Sequence, residues 1–387
     1  MANGPMIRLL ITYGTRPEAI KLAPVVRALR REPHAAAVTI CATAQHRQLG
    51  DQAQRILGLT PDLDLNLMQA GQPLNQLTSR AFEALDGVLA ETRPDWLVVQ
   101  GDTTSAMVAA MAAFHRGVRV AHVEAGLRTN DLARPFPEEM NRRVVDLVAD
   151  AHFAPTARAE AALIAEGVPP DRIFLTGNTV VDALLAMAAQ LGPVGAARSD
   201  EVLVTVHRRE SFGAPIRQIF GAIADLAARY RRLRWVCPVH PNPEVVGPAR
   251  EVLGGIAGVE LVDPLDYADL VARLRRCRLV LTDSGGLQEE APTFGTPVLV
   301  LRETTERPEG VWAGVARLVG VDRGRIVAEA RRVLDDPATE ARMAVARNPY
   351  GDGLAAERIA AILTGRPWTP FVFEPLGADT VDAPTVR

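Results

Sequence analysis

The chain has 387 residues, with 43 Lys or Arg against 46 Asp or Glu and a formal net charge of −3. Hydrophobic residues make up 48% and charged residues 23%, a globular composition that excludes a disordered chain. The near-neutral balance gives no basis for nucleic acid or an anionic membrane as partner.

At about 100–200 residues per domain, this length predicts two or three domains. The opening MANGPMIRLLITYGTRPE lacks a basic segment followed by a long apolar one, so no signal peptide is expected. No apolar run approaches the ~18 residues of a membrane span, and a cytoplasmic location is expected. The runs 7–13, 38–43, 96–100, 119–124, 151–155 and 172–177 read as strands. Between them, Asp51–Leu57, Ser105–His115, Glu138–Val148 and Arg158–Glu166 carry the i, i+3, i+4 apolar spacing of helices. This alternation predicts βαβ units and a parallel sheet covered on both faces. A Gly/Pro-containing linker, 191–201, interrupts it, and the pattern restarts with strands at 201–207, 234–240, 259–264, 278–283 and 297–302. A helix at 215–232 follows the first of these, and 351–363 reads as a final helix. The expected fold is α/β, two Rossmann-like doubly wound domains facing a cleft. The expected boundaries are 1–178, 179–350, a last helix at 351–366 and a loosely ordered tail at 367–387.

Lys21 is the single lysine among the 43 basic residues. Arginine and lysine are not interchangeable where a compact ammonium is needed, so the survivor is a clue. Cys41, Cys237 and Cys277 sit in apolar segments without C-x-x-C spacing and read as buried reduced thiols.

The unusual residues stand at the carboxyl ends of the predicted strands. Gly14 to Lys21 reads GTRPEAIK; Arg16 and Lys21, near a helix start, suit an anionic group or are simply solvated. Asp102 follows the strand 96–100, where a helix N-cap is the default reading. Glu124 closes an apolar run, and burying a carboxylate there is costly without a partner or a task. Glu138 and Glu139 open a helix, where first-turn acids are ordinary. His207 ends the strand 201–207 and could donate a proton or bind phosphate. Ser284-Gly285-Gly286 joins a strand to a helix, where glycines let backbone N–H groups approach a phosphate. Glu290 lies on that helix and Arg307 beyond the next strand. Neither G-x-G-x-x-G nor G-x-x-x-x-G-K-[ST] occurs, so a dinucleotide cofactor and a P-loop are unsupported; no H-E-x-x-H pair occurs and no metal is expected.

GTRPEAIKLAPVV, TAQHRQLGDQ, QGDTTSAMVAA, HVEAGLRTNDLARPFPEEMNRR, TGNTVVDAL, VHRRESFG, VHPNP and LTDSGGLQEEAPTFGTPVLVLRETTERPE together resemble the non-hydrolysing UDP-N-acetylglucosamine 2-epimerases. The resemblance spans about residues 7–363. It implies the glycosyltransferase-B architecture, a last helix returning to the first domain, and a homodimer. It implies interconversion of UDP-GlcNAc and UDP-ManNAc without a cofactor, by elimination and re-addition of UDP through a 2-acetamidoglucal, feeding cell-surface polysaccharide synthesis. It assigns Asp102, Glu124, Glu138 and His207 to catalysis. Arg16, Lys21 and Arg307 would hold the diphosphate or ribose region; Ser284, Gly285 and Gly286 would present amides to phosphate; Glu290 would take the ribose hydroxyls. Gln45, Gln48, Glu138, Arg208 and His240 match positions that bind a second, activating UDP-GlcNAc, but Gly71 stands where some regulated members place an arginine. Leu265 and Leu270 stand where relatives can carry polar or aromatic side chains near the uracil. The alternatives are a hydrolysing epimerase that releases ManNAc and UDP, a glycosyltransferase of the same architecture, and a non-catalytic UDP-sugar sensor.

Overall fold

The computed structural model describes residues 6–43, 58–67, 69, 71–195, 198–345 and 347–374. They fall into two compact units, the first reaching Ala183 and including Gly351–Val372, the second running Leu184–Tyr350. The predicted helix 51–57 lies outside the described residues.

The first unit is built on a seven-stranded parallel sheet. Its strands are β1 (Ile7–Tyr13), β2 (Ala36–Ala42), β3 (Leu63–Asp64), β4 (Trp96–Gln100), β5 (Arg119–Val123), β6 (Ala151–Ala154) and β7 (Ile173–Leu175). Their spatial order is β3-β2-β1-β4-β5-β6-β7. Leu9 to Tyr13 are all buried, as an apolar run must be when helices cover both faces of a sheet. The helices are α1 (Arg16–Arg30), α2 (Leu74–Thr92), α3 (Thr104–His115), α4 (Glu138–Val148), α5 (Ala157–Ala165) and the start of α6 (Thr179–Gln190), which runs on past Ala183 into the second unit. Alanine-rich α3 is buried on nearly every side, which small side chains permit.

The second unit repeats the plan with six parallel strands in the order β10-β9-β8-β11-β12-β13. They are β8 (Glu201–Thr205), β9 (Arg234–Pro238), β10 (Val259–Val262), β11 (Leu279–Thr282), β12 (Val298–Val300) and β13 (Ala316–Leu318). Helices α7 (Ala214–Arg229), α8 (Pro243–Leu253), α9 (Tyr267–Leu274), α10 (Gly285–Glu290), α11 (Pro308–Trp312), α12 (Arg323–Leu334) and α13 (Pro337–Val345) surround a core that fully buries Trp235. Helices α2, α6, α8, α9, α11, α12 and α13, not expected from the sequence, fill the remaining connections.

The last helix, α14 (Ala355–Leu363), packs on α1 within the first unit. Its buried first-turn amides, which lack an intrahelical partner, are met by Asp182, whose carboxyl accepts from Ala355 and Ala356. The expected loose tail begins too early. Phe371 is buried and its N–H donates to the Leu175 carbonyl, while Trp368 meets the Phe174 ring edge-on at 5.7 Å. Two aromatic anchors and an added backbone bond hold this stretch against β7.

In each sheet the chain reverses its direction of winding at one point, between β1 and β4 in the first and between β8 and β11 in the second. Open α/β sheets bind ligands at the carboxyl ends of the strands flanking that point.

Candidate active site

In the first unit, β1 runs into Gly14 and Thr15, and β4 into Gly101 and Asp102, at the reversal point. Thr15 is the N-cap of α1, and Glu18 closes the capping box. Glu18 accepts from Gly14 N at 3.1 Å, Thr15 N at 2.7 Å and the Thr15 hydroxyl at 2.7 Å. Its other oxygen accepts from the Thr103 hydroxyl at 2.8 Å, so one buried carboxyl ties the two loops together. Burial pushes that carboxyl up to about 6, against the opposing pull of these hydrogen bonds. Arg16 is the first residue of α1 and half-buried.

Lys21 lies in the second turn of α1 and reaches β5. Its ammonium donates to both oxygens of Glu124, at 2.7 and 2.6 Å. The Gln100 and Asn178 amides also donate to that carboxylate, Asn178 at 3.1 Å. Glu124 thus has the partners its burial demands. Its φ of 67° places it in the left-handed region, a cost of order 1 kcal/mol or more for a non-glycine residue. The surrounding bonds hold the strain and turn the carboxylate back onto Lys21.

Asp102 is not the helix cap. That role falls to Thr103, whose hydroxyl accepts from Ala106 N at 3.0 Å. Asp102 pairs instead with Arg142 of α4, and its carbonyl accepts from the Asn141 amide at 2.9 Å. Glu138 opens α4 one turn before Arg142 and so lies on the face turned to Asp102. It is half-buried and makes no hydrogen bond or ion pair among the described residues. Its neighbour Glu139 is fully buried and accepts from Thr129 N and Asn130 N, a purely structural use.

In the second unit, buried Asp283 follows β11 and organises the loop after β8. It accepts from His207 N, Arg208 N and the Ser211 hydroxyl. The His207 ring nitrogen Nδ1 lies 3.5 Å from Asp283, and the ring stacks on His240 at 5.9 Å. Burial lowers the His207 pKa, partly opposed by Asp283, leaving a neutral imidazole. Arg307 is held by Glu289 at 2.5 Å and Glu306 at 2.6 Å, and Glu306 also accepts from Arg302. Burial would raise the Glu306 pKa, but Arg307 and Arg302 outweigh it and hold the carboxylate at about 2. A Cβ on Gly285 would stand 2.5 Å from the Arg307 guanidinium, so only glycine leaves that cation its seat. A Cβ on Gly286 would lie 3.3 Å from Glu290 Oε1. The Ser284 amide departs from the expected phosphate role, since it donates to the Thr282 hydroxyl at 2.9 Å. Gln45 and Gln48 lie outside the described residues, while Gly71 has φ +70°, a backbone region that disfavours the alternative arginine.

The family model for UDP-N-acetylglucosamine 2-epimerase matches residues 27–364. This chain belongs to the UDP-N-acetylglucosamine 2-epimerase family. The UDP-N-acetylglucosamine 2-epimerase of Salmonella typhimurium is 47% identical over 370 residues, covering 92% of this chain and 98% of its own. The crystal structure of UDP-GlcNAc 2-epimerase from Neisseria meningitidis bound to UDP-GlcNAc is 38% identical with a TM-score of 0.87, covering 93% of this chain and all of that one. The glycotransferase of kitacinnamycin, 16% identical with a TM-score of 0.63 over 93% of this chain and 98% of its own, shares the glycosyltransferase-B type of fold alone.

In this epimerase-family chain, Glu18, Gln100, Asn178 and Arg142 in the first unit, and Asp283, Glu289 and Glu306 in the second, join the site without having stood out in the sequence. A first-turn glutamate, a strand-end amide and a mid-helix arginine are ordinary in their local settings. Only Asp283 carried a signal, an acid at the end of an apolar run like Glu124. Among the described residues no cluster of His, Cys, Asp and Glu could hold a metal ion, and no helix is long and apolar enough to cross a membrane.

Proposed function

We propose that the chain interconverts UDP-GlcNAc and UDP-ManNAc without hydrolysis. A base removes the C2 proton, the C1–O bond to UDP breaks, and a C1=C2 double bond forms. UDP then re-adds at C1 while a proton arrives on the opposite face of C2. Exchange on two faces needs two acid/base groups, and departing UDP needs compensating charge.

The observation that carries this reading is two ion pairs at the ends of the adjacent strands β4 and β5, Arg142–Asp102 and Lys21–Glu124, with Glu138 one helical turn from Arg142. Glu124 is saturated by donors and is a poor base; its task is to hold the Lys21 ammonium as a fixed charge. Asp102 and Glu138 are the proton-transfer pair. His207, beside Asp283, offers a ring N–H hydrogen bond to the diphosphate as UDP leaves, and Arg307 meets its charge. Retained UDP, not released sugar, is the expected outcome.

The test is NMR of UDP-GlcNAc with the protein in heavy water. UDP-ManNAc carrying deuterium at C2 supports the reading. Free ManNAc with stoichiometric UDP, or no deuterium at C2, overturns it. Glu138→Gln is expected to lower kcat by about 10²–10⁴-fold, the usual worth of one acid/base group.

A further inference from the structure

One buried charged cluster in the first unit has no part in the proton transfers. His122 is fully buried at the centre of the sheet, opposite Val99 of β4 and His152 of β6. Its Nδ1 lies 2.6 Å from Asp146 Oδ1 and its Nε2 lies 2.8 Å from the Gly101 carbonyl oxygen. A carboxylate and a carbonyl only accept hydrogen bonds. The ring meets both partners only if each of its nitrogens carries a proton. The charge count agrees. Arg128 donates to buried Asp146 and to Glu166 at the surface, so the set of His122, Arg128, Asp146 and Glu166 is neutral with a cationic ring. It would hold a net negative charge with a neutral one. His152, the other titratable neighbour, adds no charge to this count: only its Nε2 makes a short bond, to the Asp146 carbonyl at 2.9 Å, the Arg172 carbonyl stands off at 3.3 Å, and burial lowers its pKa.

The remaining Asp146 oxygen accepts from Gly126 N at 3.3 Å and Arg128 at 2.7 Å. Gly101 immediately precedes Asp102, Gly126 follows Glu124 by two residues, and Asp146 shares α4 with Glu138. We propose that a doubly protonated His122 and the Asp146 carboxylate form a positioning pair that fixes the loops of Asp102 and Glu124 to the helix of Glu138. The pair rests on the epimerase reading only for the reaction it serves. Charge-assisted bonds are about twice as strong as neutral ones, which suits a joint that must not drift during proton transfer.

The test uses the intact protein, deuterated and carrying ¹⁵N-histidine. Long-range ¹H–¹⁵N spectra are taken at about pH 8, where a free imidazole is neutral. The His122 signals are assigned by their loss in His122→Gln. Two protonated ring nitrogens are expected, collapsing to a single-proton ring in Asp146→Asn. Both variants are expected to lower kcat at least about 10-fold with KM and UDP affinity within about twofold. A singly protonated His122 in the wild type overturns the proposal, as does wild-type kcat in both folded variants. Should Asp146→Asn not fold, the wild-type spectrum and His122→Gln decide. A doubly protonated ring in a protein that does not turn over UDP-GlcNAc overturns the epimerase reading alone.

Discussion

Lys21 and Glu124 lie 103 residues apart, and neither charge can be removed without leaving the other without its counter-charge. Side-chain exposure is 14% for Lys21 and 5% for Glu124, so the pair is largely desolvated. Lys21→Met is expected to cost about 3 kcal/mol or more in denaturant unfolding, because a buried carboxylate loses its counter-charge. Lys21→Arg separates charge from shape. It keeps the cation but offers a planar fork where a compact ammonium now touches both oxygens. Near-normal unfolding with deuterium exchange at C2 reduced at least about 10-fold is the expected result. Wild-type exchange would show that any cation suffices. Composition made Lys21 conspicuous, and the cost of burying a carboxylate made Glu124 so. Their pairing was not legible, since it depends on α1 crossing toward β5, and neither segment encodes the other's position.

Two elements owe their placement to groups that look ordinary in sequence. Gly126 has φ +85°, and a Cβ there would stand 2.3 Å from the Ala159 carbonyl oxygen of α5. Gly126→Ala is therefore expected to destabilise the first unit by about 2 kcal/mol or more, read by thermal unfolding. Asp182 holds the N-terminus of α14 from within α6. Burial pushes its carboxyl up to about 7, against the backbone bonds from Ala356 and Ala355. The native state thus holds this proton where the unfolded chain, at 3.8, has released it. The protonated form's contribution is full below 3.8 and is lost as pH rises toward about 7. Asp146 works in the opposite sense. Burial opposes its charge, but His122 and Arg128 hold it at about 2, so its contribution is present above 3.8 and lost as pH falls toward 2. Asp182→Asn is expected to flatten the stability profile between about pH 4 and 7 and to be at least as stable as wild type at about pH 8. A steeper profile in the variant would contradict the assignment. The strands were legible because their apolar runs are unbroken. The ties between elements were not, because an acid at a helix start or in mid-helix looks the same whether it faces water or caps a distant helix.

At the scale of the whole chain, one winding pattern occurs twice with different endowments. The first unit's reversal point carries the carboxylates Glu18, Asp102 and Glu124, the last on Lys21, and the second carries His207 beside Asp283 and the arginines Arg302 and Arg307. UDP is accordingly expected to act on the second unit. At about 100 times its Kd it should stabilise the state that binds it by ~2.7 kcal/mol. Hydrogen exchange should slow most in Asp283–Glu290 and around Arg307; equal slowing near Glu124 would contradict this division of labour. Two similar α/β units were legible from the restart of the strand pattern after 191–201. The return of α14 to the first unit was available only through the resemblance, because its sequence shows one apolar face and not the surface that covers it.

The Lys21 pairing and the three buried thiols also determine how the protein meets labelling reagents. Its one lysine side chain is occupied with Glu124, and burial pushes the thiols of Cys41, Cys237 and Cys277 up to about 12. These four side chains therefore react slowly with amine- and thiol-directed probes while their units are folded. Each site that begins to label becomes a clock for the opening of its own unit, Lys21 and Cys41 for the first, Cys237 and Cys277 for the second.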